Sequence, residues 1–261
     1  MKDSQTFSFG GRICHKKIRQ DEILRILQEQ EYATVRDLTA ILHYSSATIN
    51  RDLNFLQNLG IVKRNYGGVE LVGKQKLPPL PIRIDFMKKE KRHIGRTAAE
   101  LIEDGDVIFI DGSTTTQYMA PYLVDKKELC VITNNMQLAL ILGEYKMEVV
   151  CLGGHIVERP HMLAGDETVE NALRYHADKA FFSTGAFSID GRIATGAIYH
   201  LIHKIMMRNS KKTYFLADRS KVRDSFSQEL CDFAALNGVV SDFEFPQETQ
   251  RKFPNTEFIC V

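Results

Sequence analysis

Apolar residues at Ile18, Ile23, Leu24, Ile26 and Leu27 recur with the spacing of an amphipathic helix, with Arg19, Asp21, Glu22 and Arg25 on its polar side. A second helix is predicted after Thr34, whose hydroxyl can cap the amides beyond it, and runs to about Leu42 with Asp37 in its first turn. His43 and Tyr44 make a short connection. Ser45 is the natural N-cap of a third helix, Ser45 to Leu59, closed by Gly60 at a position suited to left-handed backbone. Two short β-prone runs between Ile61 and Val72 then flank the Gly67-Gly68 turn. Three helices and a wing over residues 16–71, with the helix-turn-helix at 33–52, make the pattern of a winged helix-turn-helix.

The third helix carries the chemistry of this region. Ile49, Leu53, Leu56 and Leu59 fall along one face, while Ser46, Thr48, Asn50, Arg51 and Asn54 point elsewhere. Short hydroxyl and amide groups can donate or accept at phosphates and base edges, and Arg can grip guanine or phosphate with two parallel bonds. Thr34, Ser45, Ser46, Thr48, Asn50, Arg51 and Asn54, with Lys63 and Arg64 at the start of the wing, are the candidate contacts to a double-stranded DNA operator. Three helices and a hairpin can also build an interaction module with no nucleic acid partner.

Gly73-Lys74-Gln75-Lys76, followed by prolines at 78, 79 and 81, reads as a semi-rigid tether over 72–82. Beyond it Phe86 to Ile102 has helical spacing. Its charged run Lys88-Lys89-Glu90-Lys91-Arg92 reads as a solvated face, with DNA-backbone contact or an interdomain role as alternatives. Strand-like runs then alternate with helical ones. Val107 to Ile110, Leu129 to Thr133, Glu148 to Leu152, Lys179 to Ser183, Thr213 to Ala217 and Glu257 to Val261 are the strands. Helices are predicted up to Leu123, from Asn135, and over Ile198 to Arg208. The expected fold class is α/β: the winged helix-turn-helix, then a C-terminal α/β domain over 83–261 with a mostly parallel sheet. Its ligand edge should collect the loops at Asp111, Thr133-Asn134-Asn135, Gly153-Gly154, Gly185 and Asp218.

One of those loops invites an anion. Asp111-Gly112-Ser113-Thr114-Thr115-Thr116 follows a buried strand and precedes a helix, so amides at the helix start and the hydroxyls of Ser113, Thr114 and Thr115 could hold a phosphate. Loops of Gly, Ser and Thr also serve merely to turn and cap.

Bulk properties narrow the class. At 44% apolar and 26% charged residues the chain can bury a core, which sets it apart from disordered sequences. The net charge of +1 is unevenly spread: residues 1–76 hold twelve Lys/Arg against eight Asp/Glu, leaving the remainder at −3. The sign of the first part suits phosphate contacts. Five scattered cysteines have no zinc spacing and read as reduced thiols. No apolar run approaches the roughly 20 residues needed to cross a bilayer, and no signal-peptide core follows Met1, so a cytoplasmic location away from membranes is expected.

Residues 16–71 resemble the DNA-binding domain of the DeoR family of bacterial transcriptional regulators. The resemblance is carried by the Arg19 to Leu27 helix, Asp37-Leu38, Ser45, Thr48-Ile49, Arg51-Asp52-Leu53, Leu56, Gly60, Arg64 and Gly67-Gly68. The family usually shows two successive Arg after Thr-Ile, and here the first is Asn50, a group better suited to adenine. From about residue 86 to 245 the chain is similar to that family's sensor domain, whose fold is like ribose-5-phosphate isomerase and glucosamine-6-phosphate deaminase. The signposts are Asp111, Thr114-Thr115, Thr133-Asn134, Gly153-Gly154, Gly165, Asp178 with Ala180-Phe181, Gly185 and Asp218-x-Ser220-Lys221. The resemblance implies a phosphorylated sugar as effector, held by Asp111, Gly112, Ser113, Thr114, Thr115, Asn134, Gly153, Gly154 and Asp178, with Lys221 as the cationic partner. Two departures stand out. Ser113 occupies the family's usual glycine position, and the helix after Gly196 opens without the customary Glu.

A sugar-phosphate isomerase or deaminase carrying a DNA-binding head is the rival reading, with Asp111, Asp178, Asp218 and Lys221 as candidate acid, base or enediolate-stabilising groups. The missing Glu argues against it. His155, His161, His176, His200 and His203 have no acid or Cys at ligand spacing, so neither metal nor cofactor is expected. The expected working form is a homo-oligomer, dimer or tetramer, acting as an effector-relieved repressor of carbohydrate-metabolism genes.

Overall fold

The computed structural model describes residues 15–30, 32–58, 61–65, 68–71, 80–158, 162–223, 226 and 228–261. The chain divides into two compact units, Met1–Phe86 and Met87–Val261.

In the first unit, α1 (His15–Gln30) buries Ile23, Leu24, Ile26 and Leu27. The short β1 (Tyr32–Ala33) leads into α2 (Val35–Leu42), which opens on a capping box: Asp37 N–H donates to Thr34 Oγ1 at 3.1 Å, and Thr34 N–H donates to Asp37 Oδ2 at 2.9 Å. His43 ends the helix with φ 56°. Ser45 caps α3 (Ser46–Asn58), its Oγ accepting from Thr48 N–H at 3.3 Å, and α3 buries Ile49, Leu53 and Leu56 as the spacing predicts. Strands β2 (Val62–Asn65) and β3 (Gly68–Leu71) form the wing, antiparallel, with β1 added on the far side of β3. The Gly60 helix end, Gly67 and the tether over 72–79 lie outside the described residues.

Two expectations change here. Residues 80–82 belong to α4 (Leu80–Asp85) rather than to a tether, because Pro81 sits in the first turn, where its missing N–H would have no helical partner anyway. Arg19, assigned to the wet side of α1, is drawn inward by the fully buried Asp52 of α3. Its Nε donates to Asp52 Oδ2, Gln20 Nε2 donates to Asp52 Oδ1 at 3.0 Å, and the guanidinium stacks 4.7 Å over the Tyr44 ring. That hydrogen bond raises the Arg19 pKa and keeps the guanidinium charged.

The second unit starts with α5 (Lys88–Glu100) and continues through β4 (Val107–Ile110), β5 (Cys130–Thr133), α6 (Met136–Glu144), β6 (Glu148–Cys151), β7 (His155–Glu158), β8 (Met162–Ala164) and α7 (Asp166–Ala172). It ends with β9 (Ala177–Phe182), β10 (Arg192–Ala194), α8 (Ala197–Arg208), β11 (Ser210–Ala217), β12 (Glu229–Asp232), β13 (Gly238–Ser241), α9 (Gln247–Lys252) and β14 (Glu257–Cys260). Seven strands form one sheet in the order β14-β13-β11-β9-β4-β5-β6, every neighbouring pair parallel. Two antiparallel pairs, β7–β8 and β10–β12, stand beside it.

Strand alternation separates the cores. Ile108 and Ile110 pack with Ile94, Ala98, Leu138 and Phe181, while Phe109 packs with Ile132, Ala180, Ile202 and Met206. A third cluster gathers Phe182, Phe187, Phe215, Phe233, Phe245 and Phe253. The helix expected to run to Leu123 is instead a seven-residue 3₁₀ helix, Thr116–Tyr122, with Pro121 inside it. Pro121 has no N–H for an α-helical ladder.

Candidate effector site and nucleic-acid interface

The strands of the sheet all end at one edge, and Asp111 leaves β4 there, 2% exposed. Its Oδ1 accepts Ser113 N–H at 3.2 Å and the Thr116 hydroxyl at 2.7 Å. Its Oδ2 accepts Ser183 N–H at 3.2 Å and lies 3.2 Å from His203 Nε2 of α8. Four groups from three segments thus share one carboxylate, so Asp111 sets the shape of the loop. Ser113 Oγ turns back to accept Thr116 N–H at 3.2 Å and pairs with the Thr116 hydroxyl at 2.8 Å, a local cap.

Two lysines reach the next two hydroxyls. Lys221 Nζ donates to Thr115 Oγ1 at 2.7 Å and to Ser183 Oγ at 2.6 Å, and stands 4.0 Å from Asp218 Oδ2. Lys91 Nζ, on the inner face of α5, donates to Thr114 Oγ1 at 3.3 Å. Lys91 is only 2% exposed, which corrects the reading of 88–92 as a wholly solvated face. A signal for this was present: Lys91, Ile94, Gly95 and Ala98 share one helical stripe. Its position in a run of like charges hid it. His203 and Ser183 were likewise missed, because their role depends on Asp111, distant in sequence.

The remaining loops of this edge are built largely for structure. Asn134 Nδ2 donates to Leu163 O at 2.9 Å, and Asn135 caps α6 through Leu138 N–H at 2.9 Å. Gly112 lies against Met162, 2.6 Å from the Met162 Cγ to where a Cβ would stand. Gly153 and Gly154 both have positive φ, and at Gly154, with φ 111°, a Cβ would fall 2.0 Å from Thr168 Oγ1. Among the described residues, four buried atoms of this region lack a hydrogen-bond partner: Asn134 Oδ1, Asn135 Nδ2, His203 Nδ1 and Asp218 Oδ2. Buried polar atoms in that condition carry a desolvation cost that a bound polar molecule can relieve.

Asp178 does not join them. It stands at the opposite edge, at the start of β9, where it accepts Val107 N–H at 2.9 Å and Lys211 Nζ at 2.7 Å. The register Ile108↔Lys179 fixes it there, since both strands are only beginning. Those two hydrogen bonds, Lys211 first, hold its carboxyl below the usual range. A lowered folded value means that this stabilisation is present above about pH 4, the unfolded value, and is lost as pH falls through the folded one. Asp178→Asn is therefore expected to lower the thermal midpoint at pH 7, with the difference from wild type closing in acid, while effector affinity stays unchanged. Loss of effector affinity would return Asp178 to the site.

Among the described residues no three or more His, Cys, Asp and Glu side chains come together as a metal site, and no helix is long and apolar enough to cross a membrane. The four described cysteines are free, and burial pushes the Cys231 thiol up to about 12.

On the first unit, Arg51 and Asn54 are exposed on the face of α3 away from its buried stripe, with Ser46 exposed at its start. Ser45 and Thr48 pair through their hydroxyls at 2.9 Å, Thr34 is taken up by the α2 cap, and Lys63 is exposed on β2. Asn50 is engaged at both ends, its Nδ2 donating to Ser46 O at 2.8 Å and its Oδ1 accepting from Arg64 Nη2 at 2.6 Å.

A helix-turn-helix unit and a parallel α/β unit with a lysine-lined loop edge define a ligand-responsive DNA-binding regulator. The family model for the DeoR-like helix-turn-helix domain matches residues 19–75, and that for the DeoR C terminal sensor domain matches residues 87–243. The chain belongs to the DeoR family of transcriptional regulators. It is 30% identical over 222 residues to the HTH-type transcriptional repressor GlcR of Bacillus subtilis, covering 84% of this chain and 86% of that one. It is 26% identical to the Glycerol-3-phosphate regulon repressor of Haemophilus influenzae, over 79% of this chain and 81% of that one. Among solved structures, ribose 5 phosphate isomerase A from Neisseria gonorrhoeae aligns with a TM-score of 0.39 at 18% identity, over 52% of this chain and 54% of that one.

Proposed function

We propose that the chain is a cytoplasmic repressor of carbohydrate-metabolism genes, released from its operator by a phosphorylated sugar. In this reading residues 16–71 bind DNA, 72–79 tether and 83–261 sense. The observation that carries it is the delivery of two ammonium groups, Lys91 and Lys221, to the adjacent hydroxyls Thr114 and Thr115 on one largely buried loop. Two cations beside a row of hydroxyl donors suit a phosphate dianion. The unpartnered Asn134 Oδ1 and His203 Nδ1 offer polar contacts for the sugar part. The names of relatives support the class of effector: one is a repressor of a glycerol-3-phosphate regulon.

A homo-oligomer presenting paired helix-turn-helix units to two half-sites would lose DNA when the effector favours an arrangement that no longer matches their spacing. For that the effector must bind the DNA-free form more tightly, and by the same coupling DNA must weaken effector binding. Titrating pentose, hexose and triose phosphates into the protein bound to its selected DNA is expected to give release by at least one of them. DNA affinity unchanged across the whole panel sinks the reading.

A further inference from the structure

We propose that Arg64 of the wing is a DNA-contacting cation of the recognition surface, and that Asn50 is its positioning residue rather than a base reader; this rests on the DNA-binding reading above. Strand alternation sets the direction. Val62 is buried and Lys63 exposed, so Arg64 returns to the Val62 side of β2, and there its guanidinium meets α3. Nη2 donates to Asn50 Oδ1 at 2.6 Å and Nη1 donates to Asn54 Oδ1 at 2.8 Å. Asn50 and Asn54 are one helical turn apart, so their carbonyls make a pair of acceptors on the side of α3 facing the wing.

Three features favour a working cation over a packing contact. Both acceptors are neutral amides, which orient the guanidinium while leaving its charge uncompensated for phosphate or guanine. Among the described residues two of its five N–H groups are used, and three remain. Holding it in advance lowers the ordering cost of binding. For Asn50 the consequence is the reverse. Reading adenine takes both its oxygen and its NH₂ at once, and here the oxygen serves Arg64 while the NH₂ serves Ser46 O at 2.8 Å.

The test uses the full chain and the duplex that the wild type enriches from a randomised pool. Arg64→Ala is expected to weaken binding on the order of tenfold or more, Asn50→Ala by a similar factor, and the double variant no more than Arg64→Ala alone. Asn54→Ala, which removes the second acceptor, is expected to be non-additive with Arg64→Ala in the same way. Repeated selection should show Asn50→Ala and Arg64→Ala relaxing preference at the same base positions or flattening the salt dependence alike. Losses that multiply, or a base position relaxed by Asn50→Ala and kept by Arg64→Ala, overturn the proposal. A wild type that enriches no sequence overturns the DNA-binding reading and this proposal with it, whereas enrichment with multiplying losses overturns this proposal alone.

Discussion

Asp52→Ala is expected to unfold the N-terminal unit near physiological temperature while leaving the C-terminal unit folded. Asp52, on the inner face of α3, is fully buried and accepts from Arg19 and Gln20 of α1, and so ties the recognition helix to the first helix. Removing one member of a buried ion pair leaves the other desolvated, at a cost of about 3–5 kcal/mol. A small unit with a stability at the low end of roughly 5–15 kcal/mol has little margin against that. Limited proteolysis and circular dichroism should show residues 15–71 cleaved and the helical signal reduced, with DNA binding lost. A thermal midpoint for this unit within two degrees of wild type, with two degrees on the order of the shift a fraction of 1 kcal/mol produces, would show that the pair is dispensable.

Lys221→Met is expected to uncouple DNA release from effector while leaving basal DNA binding intact. Its ammonium is the group that spans Thr115 Oγ1 and Ser183 Oγ, and methionine keeps most of the volume without the charge. A hydrogen bond to a charged group contributes about 1.5–3 kcal/mol, so effector affinity should fall roughly 10- to 150-fold. Calorimetry with the active sugar phosphate measures the first effect, and fluorescence anisotropy on operator DNA measures the second. An unchanged dissociation constant for the effector would place the phosphate elsewhere.

Periodicity alone carried much of the architecture. Helices α1, α2 and α3, the Thr34 and Ser45 caps and the Val107–Ile110 strand are local patterns, and the structure reproduces them because local preference and burial agree. The departures among individual side chains involve groups whose fate is decided by a distant partner. Arg19 reads as solvated until Asp52 arrives from thirty-three residues away, and Lys91 reads as one more surface charge until Thr114 does. Asp178 looks like a site residue, yet strand register puts it at the edge opposite the loops. Short elements were also hard to foresee: β13 is only Gly238–Ser241, and α4 begins beside a proline.

The Asp111 carboxylate bears on how such a site can diverge. It serves the Ser113 and Ser183 amides, the Thr116 hydroxyl and the His203 ring together, so a single exchange at 111 strands several of them at once. Neutral drift there is closed unless positions 116 and 203 change in concert. Positions 114 and 115, each held by one lysine, can be altered one at a time. New effector preferences in descendants of this chain should therefore arise on the rim of the loop, around an anchor that stays fixed.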